Sequence, residues 1–162
     1  MNNIKKYFLP ILILLFLLSF TASFFAQDTV SIYFLDVGQG DSSIIITPDD
    51  RVVMIDSGPN KIVILRYLQN LGISQIDLLI DTHAHADHIT GMDKIIAKYK
   101  PKAFSDPGIP HTTATYQRMI SAVDKYNINY YEGISRKINL DSLTLTILSP
   151  FSRYPSYQGF RT

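Results

Sequence analysis

The stretch that decides the fold is LLIDTHAHADHITG, residues 78–91. It begins as an apolar run typical of a buried β-strand, and it contains three of the four histidines in the chain, His83, His85 and His88. In an extended backbone, residues two apart point to the same side, so His83 and His85 are predicted to converge on one point. The chain must then turn, which lets Asp87 and His88 face a neighbouring point.

Four side chains of ligand type within six residues predict a metal site. Burying so many polar groups without partners would cost several kcal/mol, so packing alone does not explain them. Nitrogen and oxygen donors without sulfur favour zinc, with manganese and iron as alternatives. The spacing suits two divalent cations about 3.5–4 Å apart. The small Ala84 and Ala86 leave room for the metals and a substrate.

The composition excludes several classes of protein. The chain has 162 residues, 46% of them hydrophobic and 18% charged, which fits neither a disordered nor a coiled-coil chain. It has no cysteine, which excludes a disulfide framework, a cysteine-ligated zinc site and a cysteine nucleophile. The net charge is +1; without Lys5 and Lys6 it is −1, because 13 basic residues (15 less 2) face 14 acidic ones. This balance does not indicate a strongly basic nucleic-acid binder.

Apolar and β-branched runs alternate with turn residues around the motif. Strands are predicted at Ser31–Leu35, Ser43–Thr47, Arg51–Ile55, Asp77–Thr82, Ala103–Ser105, Asn127–Tyr131, Lys137–Leu140 and Leu143–Leu148. Helices are predicted at Lys61–Leu71, Asp93–Tyr99 and Thr113–Tyr126. The strands come first as a meander and then alternate with helices, which predicts an α/β chain with a mixed sheet and helices on its exposed face. Residues 150–162 are predicted to be loop.

Residues 1–26 have the pattern of a secretory signal peptide. A basic start with Lys5 and Lys6 precedes 21 residues without a formal charge (residues 7–27), and this stretch includes small polar residues. Cleavage is expected after Ser23 or Ala26. The alternative is an uncleaved N-terminal membrane anchor, since 21 residues can just span a bilayer. In either case the bulk of the chain is expected to be secreted or extracytoplasmic.

The motif HxHxDH after an apolar strand resembles the signature of the metallo-β-lactamase fold superfamily. Two upstream segments match the same pattern, FLDVGQGDSSII at residues 34–45 and VMIDSG at residues 53–58. The element FLDVGQGDS narrows the resemblance to the extracytoplasmic hydrolase domain of the DNA-uptake competence protein ComEC and to its stand-alone secreted relatives. The similarity runs from about Val30 to Pro150.

The resemblance implies a role for each matching residue. His83 and His85 would bind the first metal, and Asp87 and His88 the second. Asp87 is also the expected catalytic residue, because it could hold the nucleophile while it binds its metal. Asp56 would orient the motif loop through hydrogen bonds, with a simple Asp-Ser-Gly turn as the alternative.

Two further residues have weaker expected roles. Asp41 lies in the glycine-rich loop that such folds place beside the metals, where it would support the site or serve only as a turn carboxylate. His111 precedes a predicted helix and could contact substrate, with Thr112 and Thr113 beside it. The alternative for His111 is an exposed loop histidine.

The same resemblance predicts the architecture. The superfamily fold is an αββα sandwich of two similar βα halves, and the second half supplies a metal-bridging aspartate and a late histidine. Residues 30–162 are expected to form a domain of this type that contains the first half, is truncated at its C-terminus and lacks the second half.

The expected activity is metal-dependent hydrolysis. A hydroxide held by two divalent cations, with zinc as the first choice, would attack an ester, amide or phosphodiester. The resemblance to ComEC-like proteins favours a phosphodiesterase or nuclease. The expected binding partner is a small-molecule or phosphodiester substrate, which includes nucleic acid as a possibility. The alternatives are a lactamase, lactonase or thioesterase-like hydrolase, or an inactive metal-binding fragment. Membrane contact is expected only through an uncleaved leader, and the sequence does not indicate an oligomeric state.

Overall fold

The structure, a computed structural model, describes residues 29–132 and 135–148 together with Tyr7 and Pro10. The predicted leader, apart from those two residues, and the predicted loop after Pro150 lie outside the described residues. Within the described part, no helix is long and apolar enough to cross a membrane.

A six-stranded mixed sheet is the centre of the fold. Its strands follow one another in chain order: β1 Ser31–Phe34, β2 Ser43–Ile46, β3 Val52–Ile55, β4 Leu78–Ile80, β5 Ala103–Asp106 and β6 Asn129–Glu132. The strands β1, β2 and β3 form an antiparallel meander, and β3 to β6 are parallel. The parallel strands end at one edge of the sheet, where the loops that follow them meet.

Helices connect the parallel strands and cover one face of the sheet. They are α1 Lys61–Asn70, α2 Ala86–Ile89, α3 Met92–Tyr99 and α4 Ala114–Lys125. The side chain of Asn60 accepts hydrogen bonds from the first amides of α1, and that of Thr113 caps α4 in the same way. The core on this face is buried and apolar; it includes Ile44, Met54, Ile64, Leu68, Leu79, Ile96, Phe104 and Met119.

A two-stranded antiparallel sheet packs on the opposite face. It consists of β7 Arg136–Leu140 and β8 Leu143–Ile147. Leu140 joins Val53 and Leu78 in a second, smaller cluster of buried side chains. A hydrogen bond of 2.7 Å from Arg51 Nε to Asp141 links this hairpin to the larger sheet.

The predicted fold class and the order of strands and helices are confirmed. Most boundaries differ by one or two residues, as is usual where helix and strand ends fray. The prediction of one continuous strand from Asp77 to Thr82 was too long, because only Leu78–Ile80 forms the ladder and the chain bends at Thr82 and His83. The short helix α2 inside the motif was not predicted.

Candidate metal centre

Three loops meet at the carboxyl edge of the parallel strands. They are the glycine-rich loop 36–42, the segment 56–58 after β3 and the motif loop 81–88 after β4. The amide of Ser57 donates to the carbonyl of His88 at 2.6 Å, and its hydroxyl donates to the same carbonyl at 3.1 Å. The amide of Gly58 donates to the carbonyl of Asp41 at 2.9 Å. These bonds hold the three loops in one arrangement.

Glycine is required where the first two loops press against their neighbours. Gly40 has a φ of 132°, and a Cβ atom there would overlap the backbone carbonyl of Asp87. Gly58 has a φ of 65°, and its Cβ would lie 2.7 Å from the side chain of Val37. Both glycines therefore permit the close approach that brings Asp41 toward the motif.

Asp56 is the centre of a buried hydrogen-bond network. It accepts from the amide of Thr82 at 2.8 Å and from the Thr82 hydroxyl at 2.6 Å. The Nδ1 atom of His88 lies 2.9 Å from Oδ2 of Asp56. Because a carboxylate only accepts, Nδ1 of His88 carries a proton, and in the neutral form of the ring Nε2 then has a free lone pair.

The same reasoning extends to His83. Its Nδ1 lies 3.2 Å from the Thr82 hydroxyl oxygen. That hydroxyl already donates its hydrogen to Asp56, so it accepts from Nδ1 of His83, and Nε2 is again free to bind a cation. Burial and the neighbouring His88 and His85 lower the pKa of His83, which keeps the ring neutral near pH 7. A neutral imidazole is the form that binds metals.

Two carboxylate oxygens lie near Nε2 of His88. Its Nε2 lies 3.8 Å from a carboxylate oxygen of Asp41 and 3.9 Å from one of Asp87. Within the described residues, no three such side chains already form a group that could hold a metal ion. The chemistry of the donor set nevertheless fits a divalent cation, since free imidazole nitrogens and carboxylate oxygens meet at one edge.

The motif histidines do come together, although by another route than the predicted extended strand. The amide of His85 donates to the carbonyl of His83 at 2.9 Å, so the chain bends tightly between them. Their ring centroids lie 4.6 Å apart, and those of His83 and His88 lie 3.9 Å apart. The bend is possible because α2 begins directly afterwards, at Ala86.

His111 lies on the same side of the molecule as the motif. Its ring centroid is 6.4 Å from that of His85. The amide of Thr113 donates to Nδ1 of His111 at 3.3 Å, so the proton of the ring is on Nε2. His111 therefore presents a hydrogen-bond donor, while His83 and His88 present lone pairs.

A pocket of about 170 Å³ opens between these histidines. It is lined by Asp81, His83, Ala84, His85, Pro107, Ile109 and His111. Asp81 is 2% exposed, and among the residues that the structure describes neither of its carboxylate oxygens has a hydrogen-bond partner of good geometry. Burial, and then the charges of Asp56 and Asp106, raise the pKa of Asp81 to about 7, although the amide of His83 acts in the opposite direction.

Asp81 and Asp106 were not among the predicted site residues. The strand register aligns Ile55 with Ile80 and Ile80 with Ser105, so the next residues, Asp56, Asp81 and Asp106, form a row across the sheet edge. Each aspartate directly follows an apolar strand or is its last residue, and successive aspartates are 25 residues apart. This pattern in the sequence could have identified Asp81 and Asp106. Asp106 accepts from Tyr130 at 2.6 Å and from the amide of Gly108 at 2.8 Å.

A second, polar pocket of about 380 Å³ adjoins the residues that follow the motif. Thr90 and Gly91 line it together with Lys61, Lys94 and Arg118. Asp93 is its acidic member and lies 3.3 Å from Lys94. Three cationic side chains against one carboxylate give this pocket a positive charge.

Comparisons with known proteins agree with this fold. Residues 35–153 match the family described as the metallo-beta-lactamase superfamily. A hydroxyacylglutathione hydrolase from Chromohalobacter salexigens is 40% identical over 53 residues, which are 33% of this chain and 20% of that protein.

Two solved structures are similar to this fold over part of their length. The metallo-beta-lactamase from Staphylococcus aureus subsp. aureus COL has a TM-score of 0.52 at 17% identity, over 75% of this chain and 35% of that one. The B3 metallo-beta-lactamase BLEG-1 has a TM-score of 0.51 at 17% identity, over 72% of this chain and 59% of that one. The chain thus spans between 20% and 59% of the length of these three relatives.

Proposed function

Because the chain belongs to the metallo-beta-lactamase superfamily, we propose that it is a metal-dependent hydrolase of the ComEC-like type that acts on phosphodiesters. The observation that carries this proposal is the network around Asp56, which leaves the Nε2 lone pairs of His88 and His83 free. Such outer carboxylates are typical of histidines that bind metals.

The residues of the motif divide into two sets. His83 and His85 would hold one cation, and Asp87 and His88 the other, with Asp41 beside the second. Zinc is the first choice; when bound, such ions would supply a nucleophilic hydroxide near neutral pH and would polarise the substrate oxygen that gains charge.

Two side chains of this chain act on the reactants directly. Asp87 is 39% exposed, so its carboxylate can accept a hydrogen bond from the attacking water and take its proton. His111 carries its proton on Nε2 and can donate it as a hydrogen bond to an oxygen of the substrate. Asp56 contacts no reactant; it holds the two histidines in one tautomer.

The positively charged pocket supports a phosphodiester substrate. Lys61, Lys94 and Arg118 line it beside Thr90 and Gly91, which directly follow the motif helix. Cationic side chains at this position would bind the phosphates that flank a scissile bond. The near-neutral charge of the whole chain matters less than this local charge.

A hydroxyacylglutathione thioester is the second candidate substrate. The match at 40% identity to a hydroxyacylglutathione hydrolase over 53 residues favours it.

We also propose that the protein acts outside the cytoplasmic membrane, since residues 1–26 have the pattern of an export signal. Mass spectrometry of the exported protein tests cleavage of this leader. An intact Met1 would support the anchor instead.

Metal binding and hydrolysis by the full chain test the proposed activity. Wild type should bind Zn²⁺ or Mn²⁺ in calorimetric titration and hydrolyse bis(p-nitrophenyl) phosphate. His85→Ala should weaken metal binding at least about tenfold. His111→Ala is the matched control, because it should keep the metal and raise KM for the phosphodiester.

Other outcomes discriminate between the candidates. Hydrolysis of hydroxyacylglutathione without hydrolysis of the phosphodiester would favour the second candidate. Metal binding without any hydrolysis would identify a metal-binding protein, and a wild-type chain that binds no metal would end the proposal.

A further inference from the structure

Asp81 differs from its two neighbours in the row of aspartates. Asp56 accepts hydrogen bonds from Thr82, and Asp106 accepts them from Tyr130 and Gly108. Both oxygens of Asp81 are buried and have no hydrogen bond of good geometry among the described residues, although the amide of His83 lies near them. An unpaired carboxylate in such a place costs several kcal/mol, so its retention needs a reason.

Among the described residues, neither protonation state of Asp81 has a hydrogen bond of good geometry; the amide of His83 lies near the carboxylate and offsets only part of the rise in its pKa. No Lys or Arg is among the described residues that line the pocket, so none of those residues is a cationic partner for an ionised Asp81. A protonated Asp81 would need an acceptor for its hydroxyl hydrogen, and no described atom takes that position. The groups that share the pocket are the imidazoles of His83, His85 and His111.

Two of these imidazoles, those of His111 and His83, carry their ring proton on different nitrogen atoms. His111 uses Nδ1 as an acceptor for the amide of Thr113 and is a donor at Nε2. His83 has its proton on Nδ1 and a lone pair on Nε2. A buried carboxylate beside a neutral imidazole with a free lone pair is a combination that suits a divalent cation.

We propose that Asp81, a residue outside the HxHxDH motif, is an additional ligand of the cation that His83 and His85 hold. The inference rests on the proposed function and adds an oxygen donor to two nitrogen donors. Manganese prefers carboxylate ligands, whereas imidazole ligands suit zinc. A carboxylate from Asp81 would therefore shift the preference of the cation site at His83 and His85 toward Mn²⁺ relative to Zn²⁺.

Calorimetric titration of the full chain with Mn²⁺ and with Zn²⁺ tests this assignment. Asp81→Asn should weaken Mn²⁺ binding at least about tenfold and Zn²⁺ binding less. Asp106→Asn is the matched control, because Asp106 is equally buried but has its own partners, and it should leave the ratio of the two affinities unchanged.

Thermal unfolding, first in the presence of a chelator and then with Mn²⁺ added, provides a second measurement. Without metal, Asp81→Asn should have a Tm equal to or above that of wild type, because the substitution removes an unpaired buried carboxylate. With Mn²⁺ added, wild type should gain more in Tm than the variant does.

Four results would overturn the assignment. The first is an Asp81→Asn variant that binds Mn²⁺ as tightly as wild type does and also binds Zn²⁺ as tightly. The second is a Tm of the metal-free variant below that of metal-free wild type. If His85→Ala weakens binding and Asp81→Asn does not, the proposed function stands and only the role of Asp81 falls. If wild type binds neither metal, both fall.

Discussion

At the scale of single residues, Asp56 has a backbone conformation that few side chains tolerate. Its φ is 56°, in the left-handed region, directly after β3. Aspartate and asparagine occur there more readily than other residues, because their short polar side chains bond locally. Replacing Asp56 with asparagine therefore changes the charge and the hydrogen bonds while the backbone stays acceptable.

We predict that Asp56→Asn weakens metal binding by about 10–100-fold. The amide nitrogen of asparagine cannot accept from Nδ1 of His88 or from the Thr82 hydroxyl, so the histidine tautomers are no longer fixed. The loss of buried hydrogen bonds should also lower the free energy of unfolding by about 1–3 kcal/mol. Calorimetric metal titration and urea unfolding measure the two effects.

Asp124→Asn is the control for this prediction, since Asp124 is exposed on α4. It should change neither quantity beyond about 0.5 kcal/mol. Unchanged metal affinity in Asp56→Asn would contradict the role of Asp56 in orienting the metal-binding histidines.

The sequence identifies the side chains of the motif, but it does not show how far the edge of the sheet that carries them extends. The close spacing of His83, His85, Asp87 and His88 is a local pattern, so it is visible without a fold. Asp81 and Asp106 meet through strand register, which depends on pairing between residues 25 apart. That Asp81 and Asp106 lie side by side at the edge of the sheet could be recognised only once the order of the parallel strands was known.

At the scale of elements, Asp77 holds together the starts of three strands. Its carboxylate accepts from the amide of Val52 at 2.9 Å and from Lys102 at 2.6 Å, and Arg51 lies 3.3 Å away. Burial alone would raise the pKa of Asp77, but the bonds from Lys102 and Val52 outweigh it and lower the pKa below its ordinary 3.8.

Asp77→Asn should therefore lose stability that wild type has at neutral pH. A carboxyl whose pKa is lowered on folding contributes stability above its unfolded pKa, and that stability is lost as the pH falls through the folded value. We expect wild type to exceed the variant by about 1–2 kcal/mol at about pH 7. The difference should shrink below about pH 4.

Urea unfolding at several pH values measures this difference. Asp50→Asn, in an exposed turn, is the control and should show no such pH dependence. A difference between wild type and Asp77→Asn that stays constant down to about pH 3 would contradict the predicted linkage.

The strands and long helices were predicted because their patterns are local. Alternating or continuous apolar residues mark β2, β3 and β8, and apolar residues at helical spacing mark α1. Helix α2 has four residues, too few to show a period, and its sequence ADHI is part of the metal motif. Its formation depends on the bend at His85 and on Ser57, which accounts for its absence from the predictions.

At the scale of the whole molecule, the β7–β8 hairpin covers the face of the sheet that the helices leave open. Leu140 is 8% exposed and packs with Val53 and Leu78, whereas Leu148, directly after the hairpin, is 82% exposed. The hairpin is tied to the β2–β3 turn by the bond from the amide of Ser142 to Asp49 at 2.9 Å.

We predict that Leu140→Ala lowers the free energy of unfolding by about 2–3 kcal/mol, because it removes a buried side chain and leaves a cavity. Leu148→Ala carries the same chemical change at an exposed position and should cost less than about 0.5 kcal/mol. Urea unfolding followed by circular dichroism compares the two variants. Equal effects would mean that the hairpin does not pack on the sheet.

The bonds between the loops of the metal centre have a consequence for folding kinetics. Ser57 and Asp56 contact His88 across 31 and 32 residues of chain, so the cleft exists only after β3 and β4 have paired. Contacts of that separation form late, since closing long loops costs entropy before any contact compensates it. A bound cation should then slow unfolding and leave the folding rate nearly unchanged. The ion would prolong the life of the folded chain without helping it to form.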